Sequence, residues 1–200
     1  FMSNVSMSIV GMLYNIELLK YAGDDGIAAY GVMMYVSMIF SAAFIGYSIG
    51  TAPVIGFHNG AGNHRELRGI LRKSLIMLCV CGALMLASAE LLAEPLAKIF
   101  VSYSAPLMEM TVYGFRIFAV SFPFMGFAIF NSGFFTALND GLTSALISFL
   151  RTLVFQAGAV LLLPRIWELD GIWYSVVVAE IAAGLLSSMF LITKRKKFHY

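Results

Sequence analysis

Charged side chains are scarce in this sequence. Asp, Glu, Lys and Arg together make up 12% of its 200 residues, whereas 60% of the residues are hydrophobic. A soluble domain carries roughly 25% charged residues, so about half of the usual charge is missing. The shortage excludes a disordered segment and a nucleic-acid binder with a basic face, and a membrane protein is the class that fits.

Cysteines and the common catalytic motifs are also rare or missing. Cys79 and Cys81 are two positions apart in an apolar run, where a helix points them to different faces, so no disulfide or metal pair is expected. No H-E-x-x-H, Walker or dinucleotide-binding motif occurs. Residues 46–50 match the G-x-S-x-G pattern of serine hydrolases around Ser48, but they lie inside a long apolar helix and also have the G-x-x-x-G spacing of packed helices. We therefore predict that the protein is not an enzyme and holds no metal or other cofactor.

The sequence has long apolar runs in place of charge, and six of them are candidates for membrane-spanning helices of about 20 residues. Pro53 and Pro123 lie inside two of these runs and predict helix kinks, because proline removes a backbone hydrogen bond. Between the third and fourth runs, residues 94–100 predict a short helix at the membrane surface. The sequence thus predicts an all-α, polytopic bundle of six transmembrane helices. The predicted spans are 1–19, 27–57, 70–90, 110–138, 142–163 and 171–193.

The few basic residues are distributed unevenly between the two sides of this bundle. Eight lie on the side of the C-terminus and of the loop after the second span, and three lie on the opposite side. Basic residues favour the cytoplasmic side, so both ends of the chain are predicted to be cytoplasmic, as six crossings require. This topology accounts for the cluster at 65–73, and contact with anionic lipid is its milder functional interpretation. The eight residues are Arg65, Arg68, Arg72, Lys73, Lys194, Arg195, Lys196 and Lys197, and the three are Lys20, Lys98 and Arg165.

Two charged residues, Arg151 and Glu180, are predicted to lie deep inside the fifth and sixth spans. Counted from the cytoplasmic ends at about 1.5 Å per residue, they lie roughly 14 Å and 21 Å into the membrane. An arginine side chain covers this difference, so an ion pair between the two antiparallel helices is predicted, either as a structural lock or as part of a transport site. Small residues recur every four positions beside Glu180 and predict close helix packing there. These small residues are Ser175, Ala179, Ala183 and Ser187.

Uncharged polar residues point to a cavity or a polar interface. One face of the first span is polar, as is typical of a helix that lines a cavity. This face consists of Asn4, Ser8, Gly11 and Asn15. Asn131 and Gln156 add hydrogen-bonding side chains at intermediate depth in the fourth and fifth spans, and they are further candidates for lining the cavity. Glu17 and Arg116 lie nearer the outer ends of their spans and are expected to reach water.

Three stretches of the chain resemble one transporter family. Residues 50–61, read as G-T-A-P-V-I-G-F-H-N-G-A, resemble the G-x-x-P-[IV]-I-G-[YF]-x-x-G-A signature of the multidrug and toxin extrusion (MATE) family. Residues 134–164 and 170–180 are similar to the same family, in the same order. The resemblance implies the C-terminal six-helix lobe of a two-lobe antiporter, with the N-terminal lobe absent from this sequence. Since the chain begins at Phe1 within a helical pattern, we expect a fragment.

The resemblance also implies a function. Such a protein exports cationic or amphipathic drugs and toxins across the cell membrane of a bacterium in exchange for sodium ions or protons, by alternating access. Its partners are small-molecule substrates, the lipid bilayer and the other lobe, with no nucleic acid. The carboxylates that bind the coupling cation in some members have no match in the fourth span, and Glu17 is too near the outer end, so the coupling ion stays unassigned. Arg151 and Glu180 are the candidates for the transport or coupling site.

Three alternatives remain open from the sequence. A lipid-linked oligosaccharide flippase shares the architecture, but its cavity should be more cationic in order to hold a diphosphate. An intramembrane enzyme would require a reactive Ser48. A membrane scaffold without transport activity would show no ion-dependent efflux.

Overall fold

The computed structural model is a bundle of long helices, which is the expected form for apolar runs because helical backbone satisfies its own hydrogen bonds in lipid. It describes residues 5–200, together with the backbone of residues 2–4 at the start of the first helix. No strand occurs in this described part, and the predicted all-α membrane fold is confirmed. The helices are α1 (Met2–Gly60), α2 (His64–Val101), α3 (Ala105–Ala119), α4 (Phe122–Ala137), α5 (Gly141–Phe149), α6 (Gln156–Leu162) and α7 (Pro164–Phe198), with a π-helical stretch at Leu150–Phe155 between α5 and α6.

Helix α1 consists of two arms that run in opposite directions. Gly23 has φ 61° and ψ −152°, a left-handed conformation that glycine adopts without a steric penalty. The rings of Tyr14 and Tyr30 stack with their centroids 4.8 Å apart, although a straight helix would separate them by about 24 Å. The chain therefore reverses at Gly23, in the turn that the sequence predicted between the first two spans.

The later segments also pack as antiparallel neighbours. In each case a side-chain contact joins two residues that lie a similar number of positions before and after the connecting turn. This is the pattern of two helices folded back on each other. These contacts are Tyr47–Ser74 (2.9 Å), Arg116–Glu90 (3.8 Å), Ser132–Ser148 (2.9 Å) and Arg151–Glu180 (2.9 Å). Short turns thus connect neighbours throughout the bundle.

Six segments follow from this arrangement. Within residues 5–200, four helical segments are long and apolar enough to cross a membrane: α1, α2, the continuous segment Gly141–Leu162 from α5 through α6, and α7. Helices α3 and α4 together pass the same test as one span bent by 48°. Since α1 contains two arms, six antiparallel segments result. Pro123 lies in the first turn of α4, directly after the bend, whereas Pro53 lies within the second arm of α1, whose backbone stays helical.

The separate surface helix predicted for residues 94–100 is wrong. Helix α2 continues through Pro95 to Val101 without a break. The reason is a stripe of small residues, Ala89, Ala93 and Ala97, which are all buried against the bundle and hold this end of α2 in place.

The apolar core is divided into two clusters that follow one another along the helices. One contains Val160 and Val176, and the other contains Ile147 and Leu191. Glu180 on α7 lies between the two clusters, and so does Arg151 on the facing segment. The fold therefore places both charged residues at the middle of the bundle.

Candidate functional site

Arg151 and Glu180 form the ion pair that the sequence predicted. Arg151 Nε donates to Glu180 Oε2 at 2.9 Å and to Oε1 at 3.1 Å. The Glu180 side chain is 1% exposed, whereas the Arg151 side chain is 18% exposed. Gln156 Nε2 donates a further hydrogen bond to Glu180 Oε1 at 3.3 Å. Hydrogen bonds to an ionised group are stronger than those between neutral groups, so three of them stabilise the buried carboxylate.

The π-helical stretch explains how Arg151 and Gln156 reach the same carboxylate. In a regular α-helix two residues five positions apart differ by about 140° in direction and point to different faces. A π-helix is bonded between residues five apart, so such residues come to the same face. Leu150–Phe155 adopts this form, and Arg151 and Gln156 both face α7. Sequence reasoning missed the π-helix because its residues carry no signal that separates them from an α-helix.

The small-residue stripe on α7 is buried, as predicted, and it places Glu180 at a helix interface. Ser175, Ala179, Ala183 and Ser187 are each no more than 1% exposed. Ser175 Oγ donates to the Ile172 carbonyl, so the Tyr14 hydroxyl, 2.7 Å away, is the donor to Ser175. The small side chains allow α1 and α4 to approach α7 closely.

Tyr14 is a residue of this region that sequence reasoning missed. It is buried, it hydrogen-bonds Ser175 on α7, and it stacks on Tyr30. The signal was a tyrosine in the middle of the first span, because a buried tyrosine hydroxyl requires a hydrogen-bond partner. Of the polar face predicted for that span, Asn15 is exposed at the surface of the bundle, and the side chain of Asn4 lies outside the described residues.

Asn131 is separate from the Glu180 cluster. It is fully buried between α4 and α7, where its Nδ2 donates to Ser187 Oγ at 3.0 Å. Its Oδ1 has no hydrogen-bond partner in the described structure. Ser187 lies two helical turns from Glu180 on the same face of α7, so Asn131 contacts the core and not the ion pair.

A third polar contact lies two turns further along α7. Lys194 Nζ is 3.2 Å from Asp140 Oδ2, and Asp140 also caps the start of α5 by accepting a hydrogen bond from the Thr143 backbone. Burial favours the neutral carboxyl, but the hydrogen bonds from Thr143 and Lys194 outweigh it and lower the pKa of Asp140. This pair fastens the predicted cytoplasmic ends of α5 and α7 together.

The serine-hydrolase pattern has no catalytic geometry around it. Ser48 is buried in α1, where its Oγ occupies the space beside Gly133 on α4. No hydrogen bond from Ser48 to a histidine exists among the described residues. The G-x-x-x-G interpretation also needs correction, because a side chain at Gly46 or Gly50 would meet no atom within 4 Å. The close helix approach is made by Ser48 and Gly133 instead.

Comparison with known proteins supports the architecture. The sequence model of the MatE family matches residues 1–160. The probable multidrug resistance protein NorM of Thermotoga maritima is 22% identical over 186 residues, which cover 92% of this chain and 40% of that protein. The chain therefore spans about two fifths of the length of this relative.

Two solved structures have the same fold. The outward-facing conformation of a multidrug resistance MATE family transporter of the MOP superfamily matches with a TM-score of 0.91, at 21% identity, over 99% of this chain and 45% of that chain. An inward-facing conformation from the same superfamily matches with a TM-score of 0.92, at 20% identity, over 98% of this chain and 46% of that chain. At this identity the likeness establishes the fold. The family match over residues 1–160 shows that this chain belongs to the MatE family of membrane transporters.

Proposed function

We propose that this chain is the C-terminal lobe of a secondary active antiporter, which exports cationic or amphipathic compounds across the inner membrane of a bacterium in exchange for sodium ions or protons. Membership of the MatE family and the NorM relative support export. The chain corresponds to 40% of the length of NorM, as one of two similar lobes would. The observation that carries the proposal is the buried Arg151–Glu180 pair between the two apolar clusters.

Glu180 is the proposed acceptor of the coupling ion. A carboxylate this deeply buried needs a compensating positive charge, which Arg151 supplies. A proton or a sodium ion bound at Glu180 would neutralise the carboxylate and leave the guanidinium without its partner. Arg151 is partly exposed and donates to Glu180 through Nε, so these bonds leave its Nη donors available to other groups.

The released guanidinium links ion uptake to substrate release. A cationic substrate in a cavity beside Arg151 would be repelled once the arginine charge is no longer compensated. Conversely, loss of the coupling ion would restore the Arg151–Glu180 pair and remove the repulsion. Binding of the ion and of the substrate would thus oppose each other, which is the thermodynamic requirement of an antiporter.

Efflux of a cationic dye from vesicles that contain the full-length protein tests this proposal. Separate sodium and proton gradients identify the coupling ion. We expect Glu180→Gln to lower gradient-driven efflux by about tenfold or more, since coupling between two sites is typically worth 5- to 150-fold, roughly 1–3 kcal/mol. The matched control is Glu90→Gln, which removes a half-exposed carboxylate that also pairs with an arginine, Arg116. Undiminished efflux by the Glu180→Gln protein under both gradients would refute the coupling role.

An exchange of the two charges separates a transport site from a structural lock. The double variant Arg151→Glu with Glu180→Arg keeps an ion pair but places the carboxylate on the other helix. If the pair only holds the helices together, the double variant should regain both stability and efflux. We expect it to regain stability, measured as the melting temperature of the purified protein, without regaining efflux.

The alternatives find less support in the geometry. A flippase site would have to hold a diphosphate, and Arg151, the arginine at the middle of the bundle, already pairs with Glu180. A scaffold without transport activity predicts that no gradient drives efflux. Gradient-driven efflux in the same vesicle experiment would therefore exclude the scaffold, and its absence would favour it.

A further inference from the structure

An apolar groove with three arginines at its rim lies at the predicted cytoplasmic end of the bundle. It has a volume of about 450 Å³ and runs between the start of α2 and the end of α7. Neither the ion pair nor the proposed coupling mechanism uses it. The arginines are Arg68, Arg72 and Arg195.

Helix geometry brings the apolar and basic residues of the groove together. On α2 the residues that line it are 68, 71, 72, 75 and 76, which is the spacing of a single helical face. On α7 they are 191, 192 and 195, again on one face. Arg68 on α2 and Arg195 on α7 lie nearest the ends of their helices, and Arg72 lies one turn deeper on α2. The deepest lining residues are Leu75, Ile76, Leu191 and Ile192, so the groove is basic at its mouth and apolar further in.

The floor of the groove is fixed by Tyr200. Its side chain is buried and its hydroxyl donates to the Leu191 carbonyl at 2.9 Å. Arg195 Nε donates to the backbone oxygen of Tyr200 at 3.1 Å, which holds the guanidinium over the groove. Arg68 is held more weakly, through a contact of 3.5 Å from its Nη2 to the backbone oxygen of His199.

The arginines carry positive charge that no carboxylate compensates. Within residues 5–200, none of the three has an acidic side chain within 4.0 Å, although the other ion pairs of the bundle are formed at that distance. All three side chains are exposed. Arginine binds phosphate through parallel hydrogen bonds, and basic clusters beside a membrane attract anionic lipids.

We propose that this groove binds an anionic phospholipid of the cytoplasmic leaflet. Its headgroup phosphate contacts Arg68, Arg72 and Arg195, and one acyl chain lies along the apolar floor past Leu75 and Ile192. The general preference of basic residues for the cytoplasmic side explains which side these arginines are on. It does not explain why all three arginines lie at one apolar groove. A lipid with a negatively charged headgroup and an apolar chain matches both features of this groove.

Native mass spectrometry of the full-length protein, titrated with phosphatidylglycerol, tests the headgroup contact. Phosphatidylcholine with the same acyl chains is the neutral reference. The variant Arg68→Gln, Arg72→Gln, Arg195→Gln should bind phosphatidylglycerol roughly 100-fold more weakly, because each direct hydrogen-bonded contact between an arginine and the phosphate contributes about fivefold. The control Arg65→Gln, Lys73→Gln, Lys196→Gln removes the same charge outside the groove and should change binding by less than about threefold. Equal losses in the two triple variants would show non-specific attraction and overturn the proposal.

A second comparison tests the acyl chain and separates a lipid from a free anion. Ile192→Trp fills the groove, whereas Ile39→Trp changes a similarly exposed isoleucine elsewhere, so only the first should reduce phosphatidylglycerol binding. Both positions are on the surface, where the larger side chain leaves the fold intact. Inorganic phosphate at millimolar concentration should displace little bound lipid. Full displacement by phosphate, or no effect of Ile192→Trp, would indicate a simple anion site and refute the lipid assignment.

Discussion

At the scale of single residues, three polar contacts lie at regular intervals along one face of α7. Glu180 meets Arg151, Ser187 meets Asn131, and Lys194 meets Asp140. The interval of seven residues is two helical turns, so all three contacts face the interior of the bundle. Burial makes the contacts of Glu180 and Ser187 selective, because an unpaired polar group costs more free energy in a medium of low dielectric constant than a pair gains. The Lys194 side chain is 30% exposed, so its pair with Asp140 is weaker. The face therefore fixes the register of α7 against its neighbours, and Glu180 adds a charge that can bind an ion.

The Asp140–Lys194 contact gives a prediction about stability and pH. Asp140→Asn keeps the helix cap, since asparagine caps as well as aspartate, but it removes the charge that pairs with Lys194. We expect a loss of about 0.5–1 kcal/mol in the free energy of unfolding at pH 7. Asp140→Ala removes the cap as well and should cost about 1 kcal/mol more.

The pH dependence of this loss follows from the lowered pKa of Asp140. A carboxyl whose folded pKa is below its unfolded value of 3.8 contributes stability above pH 3.8, and the contribution disappears as the pH falls through the folded pKa. The melting temperatures of the wild type and of Asp140→Asn should thus differ by a constant amount at pH 5–8 and converge on acidification below pH 3.8. A difference that grows on acidification would contradict the ion pair.

At the scale of helices, the π-helical stretch at Leu150–Phe155 decides which side chains reach Glu180. A π-helical turn is equivalent to an α-helix with one residue inserted. Deletion of Thr152 should therefore restore a regular α-helix, in which the residues now numbered Arg151 and Gln156 are four positions apart and still share a face. We expect the protein to fold with a melting temperature close to that of the wild type and to keep dye efflux.

The control for this deletion is the removal of one residue from regular helix. Deletion of Ala145, an exposed residue of α5, rotates the residues on one side of it by about 100°. It should separate Asp140 from Lys194, or Arg151 from Glu180, and so lower the melting temperature and abolish efflux. If both deletions lower the melting temperature and efflux equally, the π-helical stretch does not correspond to an α-helix with one inserted residue.

The same stretch shows how far the sequence predicts this structure. Apolar runs and turn residues identified the segments, and the depth of Arg151 and Glu180 identified their pairing, since both depend on the distribution of charge along the chain. The π-helix, the continuation of α2 through Pro95 and the contact of Tyr14 with Ser175 were not predicted. Each of these depends on packing between helices that are far apart in the sequence, and the residues involved have no local pattern that distinguishes them from an ordinary span.

At the scale of the whole molecule, the lobe matches relatives in outward-facing and inward-facing conformations about equally well, with TM-scores of 0.91 and 0.92. For the proposed antiporter, rigid-body movement of whole lobes would leave the fold of each lobe unchanged in this way. The interior supports rigidity, because two apolar clusters and three polar contacts join α7 to its neighbours. If the proposed antiporter function holds, we therefore expect the lobe to keep its shape while access changes.

Distance measurements between spin labels test this expectation in the full-length protein. The native Cys79 and Cys81 are first replaced by alanine, and labels are then placed at Leu84 on α2 and Leu185 on α7, two exposed positions where a label is tolerated. The distance between them should change by less than about 2 Å, the scale of small helix shifts, when sodium, acidic pH or a cationic substrate is added. A pair with one label at Leu84 and the other in the proposed second lobe should change by more than that under the same conditions. A change within the lobe as large as the change between lobes would mean that α2 and α7 move against each other, and the polar contacts on α7 would then be parts of the moving mechanism.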